Sequence, residues 1–342
     1  MSKAVIRRFQ LGFPWETQDP FLFCVYHLDT YPRGNEQMGP AASLDGRNLG
    51  NDFSPKDGWR MYHGHTVPGF PAHPHRGFET ITMVNKGFCD HSDSLGAAGR
   101  FGQGDVQWMT AGRGVQHSEM FPLLNTGEPN TLELFQIWLN LPKKGKFAEP
   151  HFKMLWHEDI PVVTREGVHI KVVSGRYMDT PAPPPAPDSW AAVAENEVAI
   201  WDIHMQPGTR FILPAAAAGV NRTLYYYSGE GVEWDDEPLS SGLGLELHPL
   251  SEPVIKNNTG SSHFLLLQGK PINEAVAKYG PFVMNTDDEI RAAMKEYRLT
   301  NFGGWPWPYP DNVHPRESGR FALYPDGKRE ERGTKYEERS TK

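Results

Sequence analysis

Short runs of β-forming residues, separated by glycine and proline, occupy the chain up to about residue 270. They include FETITMV, GDVQWMT, LELFQIWLNL, VHIKVVSG, VAIWDIHM, RTLYYYSG and SHFLLLQG. A chain made of many short strands can bury a core only by packing sheets on sheets or by closing them into barrels. This feature predicts an all-β protein.

Length and one proline-rich stretch bear on how many domains the chain forms. At 342 residues the chain is longer than a typical single core, so we expect two domains. The stretch PAPPPAP, Pro181 to Pro187, consists mostly of residues without an amide donor and cannot form a central strand. It is therefore an extended surface segment, either a linker or a long loop.

Helical periodicity occurs near the end of the chain. Thr286 and Glu289 have the spacing of a capping box, and the apolar residues after them recur on one helical face: Ile290, Ala293, Met294 and Tyr297. The pattern predicts a short helix over about 287–298, packed on a barrel.

The segment after Asn301 reads GGWPWPYP and then becomes strongly charged without periodicity. Such a composition cannot bury a core of its own, so we expect an extended C-terminal arm that lies over the surface and frays at its end. Trp305 and Trp307 are the side chains that would anchor it.

Charge and cysteine content disfavour several functional classes. Lys and Arg number 34 against 42 for Asp and Glu, a formal net charge of -8, so no positive field collects phosphates and direct nucleic-acid binding is not expected. The two cysteines, Cys24 and Cys89, are too few for a disulfide framework or a Cys-rich zinc site. Because neither a long apolar run nor an apolar leader is present, we expect a soluble cytoplasmic protein without a membrane partner.

Two pairs of metal-binding residue types have the spacing of side chains on one face of a strand. His73 and His75 are two residues apart, and His117 and Glu119 repeat that spacing further along the chain. If the two segments are neighbouring strands, the four side chains form one site. A lone H-x-H pair also arises by chance, so the prediction depends on both pairs together. Pro74 further indicates that the first pair lies at a strand edge or beside a bend.

Other residues resemble ligands less closely. His63 and His65 have the same spacing, but they lie in the glycine-rich segment YHGHTVPGF, which positions ligands poorly, so an ordinary structural role is preferred. On a continuous strand Glu79 would be about 13 Å from His75, at ~3.3 Å per residue. Only a bend at Gly77 could bring Glu79 to the metal, so we expect it to support the ligands or to pack in the core.

The ligand types indicate which metal would bind. Three neutral imidazoles and one carboxylate suit a divalent first-row ion, and the set contains no thiolate that would favour a closed zinc site. Iron(II) is the first choice, with nickel, copper, manganese and zinc as alternatives. We expect one divalent metal ion per chain.

At these residues the sequence resembles the pirin family. The matching segments are HPHRGFETIT, DHSDSLG, GDVQWMTAGRGVQHSEM and YGPFVMNTDDEI, and the resemblance covers roughly residues 55 to 300. It implies a bicupin, which is two antiparallel cupin β-barrels, with a metal, usually iron, in the N-terminal barrel alone. The family's ligands fall on His73, His75, His117 and Glu119, the residues chosen above from their spacing.

The resemblance also implies domain bounds. We expect a metal-binding barrel over 1–150, a second barrel without metal over 151–300, and the arm over 301–342. The family boundary falls near HFKMLWHEDIP, which makes Pro181 to Pro187 a loop inside the second domain. His204, His248 and His263 are isolated in the sequence and belong to no H-x-H or H-x-E pair, in agreement with a second barrel that lacks metal.

Two functions of different classes follow from the resemblance. One is a quercetin 2,3-dioxygenase type of enzyme that uses iron and dioxygen to open a flavonol such as quercetin. The other is a noncatalytic, metal-dependent regulator that binds a transcription factor or a metabolic enzyme. A third alternative is a cupin enzyme with another small-molecule substrate, because a fold does not fix a substrate. The sequence does not choose among them, and it leaves the oligomeric state open.

In the enzyme interpretation Glu119 could act as a general base as well as a ligand. A small aromatic substrate would need an apolar enclosure, for which the candidates are Phe53, Phe78, Met109, Met120 and Phe121. For each of these residues taken singly, an ordinary core role is preferred.

Overall fold

A computed structural model of the protein describes residues 4–333. It consists mainly of β-strands with one α-helix, so the all-β prediction is confirmed. Each of the β-forming runs singled out in the sequence contains a strand. The predicted frayed end lies largely outside the described residues. Within residues 4–333 no helix has the length and apolar character needed to cross a membrane.

The strands follow one another along both halves of the chain. In chain order they are β1 (Val5–Gln10), β2 (Phe21–Tyr31), β3 (Gly69–His75), β4 (Phe78–Lys86), β5 (Phe88–Asp93), β6 (Ala98–Gly102), β7 (Val106–Thr110), β8 (Val115–Met120), β9 (Asn130–Asn140), β10 (His151–Leu155), β11 (Val162–Arg165), β12 (Val168–Ser174), β13 (Arg176–Tyr177), β14 (Thr180–Pro181), β15 (Ala199–Met205), β16 (Thr209–Ile212), β17 (Asn221–Ser228), β18 (Val232–Trp234), β19 (Glu237–Leu239), β20 (Leu243–Leu247), β21 (Val254–Asn257), β22 (Ser262–Gly269), β23 (Ala277–Tyr279), β24 (Phe282–Met284), β25 (Arg320–Leu323) and β26 (Arg329–Arg332). The helix α1 is Asp287–Thr300, and short 3-10 turns are Lys143–Gly145, Trp190–Ala192, Ala194–Asn196, Asn301–Gly303 and Arg316–Ser318.

The described residues form two compact units. The N-terminal unit comprises 26–136, 143–154 and 275–333, and the C-terminal unit comprises 4–25, 137–142 and 155–274. The boundaries of the two units do not fall at residues 150 and 300. Strand β1, at the start of the chain, pairs with β20 in the C-terminal unit, and β25, near the end of the chain, pairs with β6 in the N-terminal unit. The division into domains over 1–150, 151–300 and 301–342 stays a prediction.

The N-terminal unit contains a six-stranded sheet in the order β26-β25-β6-β5-β8-β3 and most of a five-stranded sheet in the order β10-β7-β4-β9-β2. Every residue of β5, β6, β7 and β8 is buried. Polar residues on these strands are therefore inside the protein, where burial is costly unless they have partners. This is the unit that contains the candidate ligands.

The C-terminal unit contains a seven-stranded sheet in the order β1-β20-β17-β22-β15-β12-β11 and a four-stranded sheet in the order β16-β21-β18-β19. Their facing sides share one apolar core, which includes Trp201 and Phe264 from the larger sheet and Trp234 and Ile255 from the smaller one. Two sheets that pack face to face bury the alternate residues of each strand.

The predicted helix is present as α1, with the expected capping box formed by Thr286 and Glu289. Its buried residues Ile290 and Ala293 pack with Phe282 and Phe302 of the same unit. The sequence prediction of a short C-terminal helix is confirmed.

The C-terminal arm is more ordered than its composition suggested. The Trp307 indole N–H donates to the Asp93 carbonyl at 2.8 Å, whereas the Trp305 indole N–H donates to Tyr309 within the arm itself. Further along, β25 and β26 form a hairpin that extends the six-stranded sheet. The segment shows no apolar alternation in sequence, yet β25 is buried: Phe321 and Ala322 pack inside, and Arg320 forms a buried ion pair with Asp105.

Candidate metal centre

Two adjacent antiparallel strands carry the predicted ligands. β3 is the edge strand of the six-stranded sheet, and its register with β8 places His73 opposite His117. The pairing is irregular between Phe70 and His73. An edge strand with a bulge accommodates Pro74, which has no amide hydrogen to donate. The expectation of an edge or a bend at this proline is confirmed.

The structure brings the three predicted histidines together. One ring nitrogen from each of His73, His75 and His117 lies within 4.8 Å of the others. The Nε2 atoms of His73 and His117 are 3.1 Å apart. Two nitrogen ligands held at about 2.1 Å from one ion lie about 3 Å apart when their bonds meet at right angles. The spacing therefore fits two ligands of one ion.

Burial keeps these imidazoles in the neutral form that a metal requires. It lowers the pKa of His73 to about 4, and the pKa values of His75 and His117 lie well below the ordinary value for the same reason. Nearby imidazoles act in the same direction, because a second positive charge close by is unfavourable. At neutral pH the three rings are therefore available as ligands.

Hydrogen bonds set which nitrogen of a ring faces the cluster. His73 Nδ1 is 2.9 Å from the Pro71 carbonyl, to which it can only donate, so the Nε2 lone pair faces His117. His117 is fully buried, and its Nδ1 has no hydrogen-bond partner within residues 4–333. Buried polar atoms rarely lack a hydrogen-bond partner, so His117 Nδ1 is unusual and marks this position as a candidate functional site.

Glu119 lies beside this cluster, and other side chains hold its carboxylate. Its Oε2 is 3.7 Å from His117 Nε2. Gln136 donates to Oε2 at 2.7 Å, and the Thr82 hydroxyl lies 2.8 Å from Oε1. Burial raises the pKa of Glu119, while its hydrogen bonds to Thr82 and Gln136 act against that rise. The carboxylate is thus fixed next to the histidines, although it is not within their compact group.

The less favoured sequence candidates have other roles in the structure. His63 and His65 are exposed, and His63 Nδ1 bonds to the Gly50 carbonyl at 2.6 Å. Glu79 is fully buried, and its Oε1 accepts hydrogen bonds from the indole of Trp108 and the hydroxyl of Thr110. Among the described residues, none of these three belongs to the compact histidine group.

Sequence reasoning missed a fourth histidine at this site, His91, which is fully buried. His91 lies opposite Glu119 in the pairing of β5 with β8, and its ring centroid is 5.4 Å from that of His117. Its Nε2 is 3.0 Å from Asp93 Oδ2, and its ring stacks on Phe152. The signal was available in the segment His91-Ser92-Asp93, which has the same two-residue spacing as the ligand pairs.

The residues predicted to enclose a substrate differ in their surroundings. Phe78 is fully buried, with its ring centroid 5.1 Å from that of His75. Met109 and Met120 are also fully buried. Phe53 and Phe121 belong instead to a group of aromatic rings that includes Phe70, whose centroid is 6.3 Å from that of His73. Phe70 was not among the sequence candidates.

The histidines of the C-terminal unit are isolated in sequence but not all in space. His204 lies between His169 and His263 in the register of three adjacent strands. The ring centroids of His204 and His263 are 4.2 Å apart, and His204 Nε2 is 3.1 Å from Asp202 Oδ1. Register across strands is not visible in sequence spacing. The expectation that this unit holds no metal stays a prediction.

Similar proteins show the family to which this chain belongs. The sequence profile described as Pirin matches residues 34–139, and the profile described as Pirin C-terminal cupin domain matches residues 200–303. The chain belongs to the pirin family. A pirin-like protein of Solanum lycopersicum is 36% identical over 245 residues, which cover 69% of this chain and 77% of that protein. Pirin-1 of Arabidopsis thaliana is 36% identical over 242 residues, which cover 69% of this chain and 78% of that pirin.

A solved structure has a similar fold. A crystal structure of quercetin 2,3-dioxygenase from Acinetobacter baumannii superimposes with a TM-score of 0.67 at 26% identity, covering 88% of this chain and 98% of that one. The prediction of two cupin domains with a short C-terminal helix is confirmed. As a pirin with a cluster of three histidines, two buried and one half-buried, the protein has side chains that could hold a metal ion.

Proposed function

We propose that this pirin binds one divalent metal ion through His73, His75, His117 and Glu119, and that it is an iron-dependent dioxygenase acting on a flavonol such as quercetin. The observation that carries the proposal is the group of three neutral histidines, His75 and His117 buried and His73 half-buried, beside a fixed carboxylate. The similar fold of the quercetin 2,3-dioxygenase from Acinetobacter baumannii supports the choice of reaction.

The donor set fits a first-row metal. Three imidazoles and one carboxylate suit iron(II) first, with nickel, copper, manganese and zinc as alternatives. A bound divalent ion would supply Lewis acidity and open coordination positions. The chain's own contribution is to present the four side chains, three of them buried and His73 half-buried, on β3 and β8.

Glu119 is the residue to which we assign proton transfer. Flavonols react as the ionised form of their 3-hydroxyl group, so a base must accept that proton. Burial raises the pKa of Glu119, which makes its carboxylate a better acceptor than an exposed one. Gln136 and Thr82 hold the carboxylate while it accepts the proton. The competing role for Glu119 is to balance the charge of the metal ion without transferring a proton.

An aromatic wall next to His73 suits a flat substrate. Phe70 contacts the rings of His73, Tyr62 and Phe121, with ring centroids 6.3, 5.2 and 6.1 Å apart. Aromatic side chains pack favourably against planar ligands, in stacked or edge-to-face arrangements. We propose that a small aromatic substrate lies against this wall with its hydroxyl towards Glu119.

The proposal is tested by loading the protein anaerobically with iron(II) and then adding oxygen and quercetin. We expect oxygen uptake together with loss of the flavonol absorption band. Glu119→Gln should retain enough metal for assay and lose turnover, whereas His65→Ala should behave as wild type. Full turnover by metal-loaded Glu119→Gln would assign the carboxylate to charge balance alone. Failure of the metallated wild type to consume oxygen would refute the flavonol activity.

The alternative is a metal-dependent regulatory protein. The relatives from Solanum lycopersicum and Arabidopsis thaliana carry names that state no activity. A protein that binds metal but turns over neither flavonols nor a panel of small metabolites would favour a regulator that binds a protein partner. Turnover of another metabolite alone would favour a cupin enzyme with a different substrate.

A further inference from the structure

A cavity of about 450 Å³ lies in the C-terminal unit, beside an edge of each of its two sheets. Strand β11 ends the order of the seven-stranded sheet, β16 ends that of the four-stranded sheet, and residues of both strands line the cavity. Within residues 4–333 no backbone ladder joins these two strands. A gap therefore remains between the two sheets, and the cavity occupies it.

Core side chains form the floor of this cavity. Four buried residues of the apolar core line it: Val168, Ile170, Tyr177 and Phe211. Two further apolar side chains, Met178 and Ile212, also line it and are 50% and 45% exposed. Large exposed apolar side chains beside a concave surface are typical of a binding site. The wall suits a ligand with an apolar body.

Two arginines of the cavity wall have no acidic partner. Arg165 and Arg210 line the cavity, and neither guanidinium makes a hydrogen bond or an ion pair with another residue in the described chain. The charge of Arg210 acts on Asp236, but that carboxylate is already hydrogen-bonded to Lys256. Glu166 is the acidic residue of the wall. Two arginines and one glutamate give the wall one net positive charge, although the whole chain carries -8.

Tyr177 adds a hydroxyl group that is fixed in position. Its ring packs edge-to-face on Trp201 with centroids 5.3 Å apart, and it lies 6.3 Å from the ring of Phe211. The hydroxyl has no hydrogen-bond partner among residues 4–333. Burial raises the pKa of Tyr177 and the charge of Arg165 acts against this rise, so Arg165 is near the phenol. A phenol O–H and a guanidinium are thus neighbouring donors in the cavity.

We propose that this cavity binds a small monocarboxylic acid with an apolar ring, whose carboxylate accepts hydrogen bonds from Arg165, Arg210 and the Tyr177 hydroxyl. A guanidinium and a carboxylate form two parallel N–H···O bonds, which are stronger than bonds between neutral groups. The arginines are exposed and can adjust to the ligand, whereas the phenol fixes the position of the carboxylate. The apolar floor receives the ring.

The charge and composition of the wall favour this ligand class over other anions. One net positive charge matches a monoanion, whereas a phosphate dianion would be left partly uncompensated. An inorganic anion would also leave the apolar floor uncovered. Because every residue of the wall belongs to the C-terminal unit, the proposal does not depend on the metal centre or on the proposed dioxygenase reaction.

The test is a ligand-observed NMR titration of the full-length protein with benzoate. Because water weakens ion pairs of exposed arginines, we expect a dissociation constant on the order of 1 mM. The neutral analogue benzamide should bind at least about fivefold more weakly, and inorganic phosphate at the same concentration should not displace benzoate. Equal affinity for benzoate and benzamide, displacement by phosphate, or the absence of benzoate binding would overturn the proposal.

Arginine variants locate the carboxylate. Arg165→Gln and Arg210→Gln should each weaken benzoate binding about threefold to tenfold, and the fold should be retained because both side chains are exposed. Arg176→Gln is the matched control, because Arg176 is an exposed arginine next to Tyr177 in β13 that does not line this cavity. Equal weakening in all three variants would indicate a general effect of positive charge and would refute the site.

Tyr177→Phe tests the hydroxyl alone, since the ring that packs on Trp201 is kept. We expect benzoate binding about twofold to fivefold weaker than in the wild type. Tyr226→Phe is its control, because Tyr226 belongs to the same core and does not line the cavity. Thermal unfolding would show that the variants are folded. Unchanged affinity in folded Tyr177→Phe and in both Arg165→Gln and Arg210→Gln would place benzoate elsewhere, including at the metal centre, and would overturn the proposal.

Discussion

Replacing Thr82 with valine is expected to weaken metal binding by about tenfold and at most about 100-fold. The Thr82 hydroxyl lies 2.8 Å from Glu119 Oε1 and 2.7 Å from Gln136 Oε1, and it is fully buried. It carries one proton, so it can donate to only one of these oxygens at a time. A buried hydrogen bond to a charged acceptor contributes about 1.5–3 kcal/mol. Because Gln136 continues to hold Oε2, we expect the lower part of the range.

The measurement is competition for the metal with chelators of graded affinity. Valine has nearly the same shape as threonine, so the β4 backbone and its packing should be retained. Thr80→Val is the matched control, because Thr80 is on the same face of the same strand, is fully buried, and has a hydroxyl without a partner in the described chain. Equal loss of affinity in both variants, or a change of less than about twofold in Thr82→Val, would refute the role assigned to this hydroxyl.

Two further predictions concern the ligands themselves. His117→Ala should release the metal, whereas His63→Ala and His65→Ala should retain it, as measured by metal content after gel filtration. Equal loss of metal from all three variants would contradict the preference for the pair His73 and His75 over the pair His63 and His65. Because burial lowers the pKa of His73 to about 4 and those of His75 and His117 in the same direction, protons compete with the metal only at low pH. Dialysis at a series of pH values should show metal retained at about pH 5.5 and lost towards pH 4; release already near the ordinary imidazole value of about 6.5 would contradict these pKa shifts.

Local patterns were sufficient to predict the strands, the helix and the histidine cluster. Alternation and turn residues mark a strand within a few positions, and the capping box at Thr286 marks the start of α1. The two-residue spacing of His73 and His75 places both side chains on one face of β3, independently of the rest of the fold. The pairing with His117 was a hypothesis about neighbouring strands, and the register of β3 with β8 supports it.

Features that depend on long-range register could not be read from the sequence. Gln136 holds Glu119 from β9, and Thr82 does so from β4, but nothing in either segment indicates which carboxylate it will meet. His91 reaches the cluster because β5 pairs with β8.

The exchange of terminal segments between the two units has the same origin. Strand β1 joins the C-terminal unit through β20, and β25 joins the N-terminal unit through β6. Each pairing links segments that are far apart in the chain. A linear division into domains follows the order of the sequence and does not represent such pairings.

The most direct test of the account is the metal content of the purified protein after reconstitution with iron(II), and in parallel with nickel, copper, manganese or zinc. Elemental analysis should give one tightly bound ion per chain in the wild type and none in His117→Ala. A stoichiometry near two per chain, or no retained metal with any of the five ions, would contradict the assignment of a single metal site to His73, His75, His117 and Glu119.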